Sequence, residues 1–224
     1  MSKLLAEDQT YLQESFLFWD KILPEDRERI LSTAIVHTYA SGDLVKHASE
    51  ECSGLLLLKS GQLRAFLEGE GGKEITLYRL LSMDLCILSA PCVLKSITFD
   101  VSLEAEKESV VIHIPARLWG DLVTKYPSVQ SYSMDLINSR FSEVMWVLDQ
   151  LISKNLGQRV SGFLKEQALL EDSDTIHVTH ETIANNLGTA REVVSRTLKY
   201  FESEGAIALS RGSIRILRPD KLLM

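Results

Sequence analysis

Apolar residues along this chain change their spacing three times, and each change predicts a different architecture. Residues 14–31 read as short helical segments broken at Pro24. Between Ala34 and Pro115 the apolar residues come in short runs: 37–42, 54–61, 62–67, 74–78 and 109–114, with glycine-bearing turns between them. Such runs predict the strands of a sandwich or barrel-like roll, with Leu55, Leu56, Leu57 and Leu58 as a core strand. Over residues 127–154 the spacing becomes helical. Met134, Ile137, Phe141, Val144, Leu148 and Leu151 recur at alternating steps of three and four, an a/d seam. Tyr132, Leu136, Met145 and Val147 form a second apolar set beside it. One set can face the home domain while the other meets a twin helix, so the pattern predicts a homodimer through this helix. Residues 156–169 begin a further domain, with Val160, Phe163, Leu164 and Gln167 turned inward.

Residues 179–196, T-H-E-T-I-A-N-N-L-G-T-A-R-E-V-V-S-R, predict two short helices joined by a tight turn at Gly188. The first buries Ile183, Ala184 and Leu187. The second starts near Ala190, with Thr189 and Glu192 expected to form a capping box. Val194, Leu198 and Phe201 fall on its buried side, while Arg191, Glu192, Ser195 and Arg196 share the other. Gly205 is a natural stop. Residues 206–217 then alternate around Arg211, Gly212 and Ser213, which predicts a hairpin. A helix-turn-helix followed by a hairpin is a winged helix. Alone, R-E-x-x-S-R would describe an ordinary solvated helix; its ordered flanks turn the reading toward DNA. Arginine pairs bidentately with guanine, glutamate accepts from cytosine, and serine serves either base. Thr189 and Lys199 flank this set as further DNA contacts.

Composition bears on partners and compartment. The chain has 224 residues and a net charge of −7, which is unevenly spread. Residues 179–224 carry seven Lys/Arg against five Asp/Glu, a net +2, leaving −9 for the rest. An acidic body with a mildly basic head can still bind DNA, because the charge near the phosphates sets that affinity, and steeply with salt. No apolar run reaches membrane-spanning length and no secretion signal opens the chain, so a cytoplasmic location without membrane contact is expected. Three cysteines suggest no disulfide framework. No nucleophile elbow, phosphate loop, metal-binding histidine motif or catalytic carboxylate pair occurs, so an enzyme is not expected.

The order of β-roll, long helix and winged helix resembles the Crp/Fnr superfamily of bacterial transcription regulators over essentially the whole chain. Tyr39-Ala-Ser-Gly-Asp-Leu-Val45 and Leu58-Lys-Ser-Gly-Gln-Leu-Arg64 are similar to two turns of its roll. Glu181-Thr-Ile-Ala-Asn-Asn-Leu-Gly188 and Arg191-Glu-Val-Val-Ser-Arg196 are similar to its helix-turn-helix. The resemblance implies an α+β fold: a cupin-like, cyclic-nucleotide-binding-domain-like roll (residues 1–126) as sensor, a dimerisation helix (127–154) and a winged helix (155–224). It implies double-stranded DNA, a second copy of the chain and RNA polymerase as partners. Glu192, Ser195 and Arg196 look like the Fnr-like branch, which reads TTGA. Arg191, Glu192 and Arg196 also look like the cyclic-AMP receptor branch, which reads GTGA. Inverted repeats with TGA-containing half-sites are expected, under allosteric control from the roll.

The sensor departs from the cyclic-AMP pattern. Where the family's Arg-Ser/Thr-Ala triplet would neutralise the cyclic phosphate, this chain has Phe99, Asp100 and Val101, and Lys95 is the one local cation. Cyclic AMP in the usual mode is not expected, and a small-molecule or redox effector takes its place. No cysteine precedes Cys52, so the N-terminal iron–sulfur ligand set of Fnr-like oxygen sensors is missing. Cys86 and Cys92 could form a thiol redox pair, or one could ligate haem beside His37, His47 or His113. Their other reading, as small buried hydrophobes, is the favoured one. A haem- or thiol-based redox or gas sensor with secondary or degenerate DNA binding is the alternative function.

Overall fold

The structure, a computed structural model, describes residues 2–46, 54–69, 72–87 and 101–222. Its contacts divide the chain into two bodies, residues 1–67 with 77–144, and residues 68–76 with 145–224.

The first body opens with β1 (Ser2–Lys3), α1 (Ala6–Ser15), a 3-10 turn (Trp19–Lys21) and α2 (Pro24–Thr33). Pro24 does not merely interrupt a helix; it begins one, since a first-turn residue has no intrahelical N–H bond to lose. The roll follows as β2 (Ile35–Tyr39), β3 (Leu44–Lys46), β4 (Leu55–Ser60), β5 (Leu63–Glu68), β6 (Glu74–Leu80), β7 (Leu85–Cys86), β8 (Ser102–Ala105) and β9 (Ser109–Ile114). These strands form a five-stranded sheet, ordered β1-β2-β9-β4-β7, and a four-stranded sheet, ordered β3-β8-β5-β6.

Leu55–Leu58 is continuous in sequence because β4 is covered on both faces. Leu56 and Leu58 point into the roll with Leu63, Ala65, Leu77, Tyr78, Leu103 and Val111. Leu55 and Leu57 point outward, to a second core with Ile112, Ile114 and the aromatic rings of Phe16, Phe18 and Trp119. The β4–β5 turn closes on Gly61, at φ +97; a Cβ there would stand 2.4 Å from the Glu108 carbonyl oxygen.

Two helices follow the roll, α3 (Ala116–Lys125) and α4 (Pro127–Ser153). Leu118, Trp119 and Leu122 bury the inner stripe of α3. On α4, Tyr132 and Leu136 pack into the aromatic core. The predicted seam is split. Val144 does not belong to its exposed part; it packs against the roll interior, because the inward stripe of α4 extends one turn further than the apolar pattern implies. Ile137 is half-buried. Met134, Phe141, Leu148 and Leu151 are exposed, joined by Met145, Trp146 and Ile152. Met145, placed with the inward set by spacing, therefore lies on the outer face.

The second body contains residues 68–76, which include the start of β6, the end of α4 from residue 145, and then α5 (Leu156–Glu171), β10 (Thr175–Ile176), α6 (His180–Asn186), α7 (Arg191–Ser203), β11 (Ile207–Ser210) and β12 (Ser213–Ile216), closed by a 3-10 turn (Pro219–Leu222). Asn155 and Gln158 form a reciprocal capping box that starts α5. Val160, Phe163 and Leu164 fill the core with Ile183, Ala184, Val194, Leu198, Phe201, Ile207 and Ile214. Gln167 is only half-buried. The hairpin is in register Ser210↔Ser213 through Ile207↔Ile216, with β10 added at its β12 edge.

Candidate nucleic-acid interface

Helix α6 starts on a side-chain cap: the Thr179 hydroxyl accepts from the Thr182 amide at 3.0 Å. It ends in a Schellman closure. Gly188, at φ +63, donates to Asn185, and Thr189 donates to the Ala184 carbonyl at 3.0 Å. That bond corrects the expected capping box. Thr189 is committed to closing α6, so Ala190 in extended conformation caps α7, without a side-chain cap bond. The Thr189–Glu192 box is absent, and Glu192 is exposed. A guanidinium of Arg159, from α5, also donates to the Leu187 carbonyl at the same turn. The junction between α6 and α7 is thus held from within the backbone and from behind.

Helix α7 is strongly two-sided. Val194, Leu198 and Phe201 are buried. Arg191, Glu192, Arg196 and Lys199 are exposed, and Ser195 is half-buried between them. The structure thus brings together all the predicted α7 residues on one outward face, with Thr189 half-buried at its entry. Arg191 lies 3.9 Å from Glu181, both largely exposed, a contact that leaves the guanidinium available. Arg211, Arg215 and Arg218 are exposed on the hairpin and just after it. Sequence reasoning overlooked one residue: His180, the first of α6, places Nδ1 at 2.8 Å from the Ser195 hydroxyl. The pair is fifteen residues apart in sequence, a separation that no single-helix periodicity would flag.

Of the candidate effector residues, Cys86, His37 and His113 fall among the described residues. Cys86 is fully buried in the roll, its Sγ 3.7 Å from the Tyr78 hydroxyl. Cys52, Cys92, Lys95, Phe99, Asp100 and His47 lie outside the described residues. His37 and His113 face each other from neighbouring strands, ring centroids 6.1 Å apart, and burial holds both imidazoles below their ordinary pKa. Leu56 on β4 stands opposite both His113 and Cys86, so these two lie two strand spacings apart, about 10 Å. Among the described residues no three His, Cys, Asp or Glu side chains group as a metal site.

Residues 158–224 match the Crp-like helix-turn-helix domain. A solved structure from Eubacterium rectale, assigned to the Crp/Fnr family of transcriptional regulators, is 41% identical, with a TM-score of 0.91 over 93% of this chain and 97% of that one. This chain belongs to the Crp/Fnr family. It is similar to the regulatory protein HlyX of Actinobacillus pleuropneumoniae, 26% identical over 80% of this chain and 76% of that protein. It is similar as well to the cyclic AMP receptor protein of Thermus thermophilus, 25% identical over 87% of this chain and 89% of that one. The chain is a Crp/Fnr-type transcription regulator with a helix-turn-helix DNA-binding domain, and these relatives are regulators, not enzymes. No helix among the described residues is long and apolar enough to cross a membrane.

Proposed function

We propose that this Crp/Fnr regulator works in the cytoplasm as a homodimer on an inverted DNA repeat with TGA-containing half-sites. A signal received in the roll, residues 1–126, governs it, and that signal is not cyclic AMP in the usual mode. The observation that carries the reading is the outward face of α7. Arg191, Glu192, Ser195, Arg196 and Lys199 project from a helix whose other side is fixed by Val194, Leu198 and Phe201. A helix seated this way can enter the major groove with its N-terminal residues against base edges. Arg196 is assigned to guanine, Glu192 to cytosine, and Lys199 and Thr189 to the phosphates.

The exposed apolar stripe of α4 supports the dimer. Phe141 is 63% exposed and Trp146 61%, flanked by Met134, Met145, Leu148 and Ile152. Apolar surface of this extent on one helix marks a partner, and an identical helix supplies the matching stripe. Residues 127–154 then set the spacing of two heads, and RNA polymerase is the further partner through which DNA occupancy acts.

Gel-shift titration against a TGA inverted repeat and a scrambled duplex tests the reading. The expected result is selective binding that Arg196→Ala abolishes. Equal affinity of the variant and the parent chain for the repeat over the scramble refutes the assignment.

A further inference from the structure

The His180–Ser195 contact ties the first helix of the motif to the second at the middle of the reading face. Nδ1 of His180 and Oγ of Ser195 are 2.8 Å apart, and both residues are half-buried. A serine hydroxyl has one proton to give and two lone pairs; a neutral imidazole has one nitrogen that donates and one that accepts. The two assignments available at this contact have opposite consequences for DNA. If Nδ1 accepts, the Ser195 proton is spent on His180 and Oγ can meet a base only as an acceptor. If Nδ1 donates, the Ser195 proton is freed and the hydroxyl can donate to a base.

The choice is made at the other ring nitrogen, since a partner on one nitrogen fixes the tautomer of the whole ring. Nε2 of His180 has no hydrogen-bond partner among the described residues. In a docked helix-turn-helix the first helix crosses the DNA backbone while the second lies in the groove. A phosphate oxygen has no proton to offer, so a nitrogen that meets one must donate.

We infer that His180 is a positioning residue: its Nε2–H donates to a DNA phosphate, its Nδ1 accepts the Ser195 proton, and Ser195 Oγ is thereby set to accept from an exocyclic amine. The bases that present one in the major groove are cytosine, at N4, and adenine, at N6. Base readout at this one step is therefore conditional on correct seating against the backbone. This rests on the DNA-reading face proposed above, and the test keeps the two apart.

The experiment measures relative affinities for four duplexes that differ only at the base pair facing Ser195, using the full-length chain and its variants. The intact chain is expected to favour the two duplexes that place cytosine or adenine on the strand that Ser195 Oγ meets, over the two that place guanine or thymine there, by roughly 2- to 10-fold, the worth of one hydrogen bond. Ser195→Ala and His180→Ala should each erase that preference, and the double variant should do no more than either. His180→Asn, whose side-chain oxygen can accept the Ser195 proton, should restore a part of it. A duplex carrying the methylphosphonate diastereomer whose methyl replaces the oxygen facing His180 should lose the preference with the intact chain and show no further change with His180→Ala. Evenly weakened binding to all four duplexes in His180→Ala and His180→Asn overturns the inference, as does a wild-type profile in His180→Ala. In both cases selective binding to the repeat leaves the DNA-reading face standing. If the intact chain does not distinguish the repeat from a scramble, that broader reading falls instead.

Discussion

The guanidinium of Arg140 lies 4.7 Å from the centre of the Tyr78 ring, inside the first body. The arginine comes from α4 and the tyrosine from β6, so the contact fastens the long helix to the roll. The arginine side chain is only 7% exposed, and it also reaches Glu143 at 2.7 Å and Asp84 at 3.7 Å. Burial pushes the Tyr78 phenol well above its ordinary pKa, so the ring meets the cation as a neutral π face.

Removing Arg140 therefore has an effect that depends on what replaces it. Arg140→Ala loses the cation–π contact and leaves a void, and should lower unfolding free energy by about 2–3 kcal/mol. Arg140→Met fills the space without a buried charge and should cost about 1 kcal/mol or less. Urea denaturation followed by circular dichroism measures both. Equal losses in the two variants would mean that the charge, not the volume, is what α4 requires.

Asp26 illustrates a different fastening. Its carboxylate, buried on α2, accepts from Lys125 at 2.6 Å, the Tyr126 hydroxyl at 2.7 Å and Arg29 at 2.8 Å. These bonds, the Lys125 one foremost, pull its pKa down to about 2. A lowered carboxyl pKa stabilises the fold above the unfolded value near 4 and loses that contribution as pH falls toward 2. Asp26→Asn should cost about 1–2 kcal/mol at pH 7, after screening by solvent, and the gap to the parent chain should close as pH drops from 4 to 2. Thermal unfolding across that range reads it; a gap constant with pH contradicts the assignment.

Phe141 is the most informative position for assembly, being exposed and central in the α4 stripe. In the proposed homodimer, Phe141→Glu places like charges across the twofold contact. Sedimentation equilibrium should show the parent chain as a dimer and the variant as a folded monomer, with DNA affinity lowered. A variant that stays dimeric would move the interface elsewhere.

Cys86 should behave as core. In a chain with Cys52 and Cys92 replaced by serine, a thiol reagent should modify Cys86 no faster than the protein unfolds, because the side chain has no exposed surface. Prompt modification in native buffer would return Cys86 to the list of redox sensors.

The legible parts of this fold were those with a clean period. The helix-turn-helix, the hairpin and the long helix all carry regular apolar spacing, and the structure has each. Helix α1 was illegible because two of its buried residues, Asp8 and Ser15, are polar. Asp8 is buried through an ion pair with Lys59 at 2.6 Å, fifty-one residues away, which no local pattern encodes. The strands β3, β7 and β8 were hidden by being only two to four residues long. At the interface, the outward face of α7 follows from spacing alone. The contact of His180 with Ser195 does not, since it depends on how two helices cross.

The closure between α6 and α7 has one further consequence. Because Gly188, Thr189 and the Leu187 carbonyl are all engaged in holding the corner, little of that work falls on the side chains that point outward from α7, Ser195 being the one that shares it through His180. Residues such as Arg191 or Glu192 can be exchanged without altering the angle at which the helix is presented. On the proposed reading face, such a chain is a ready chassis for retargeting: new operator sequences become accessible by editing a few exposed positions, with the mount left untouched.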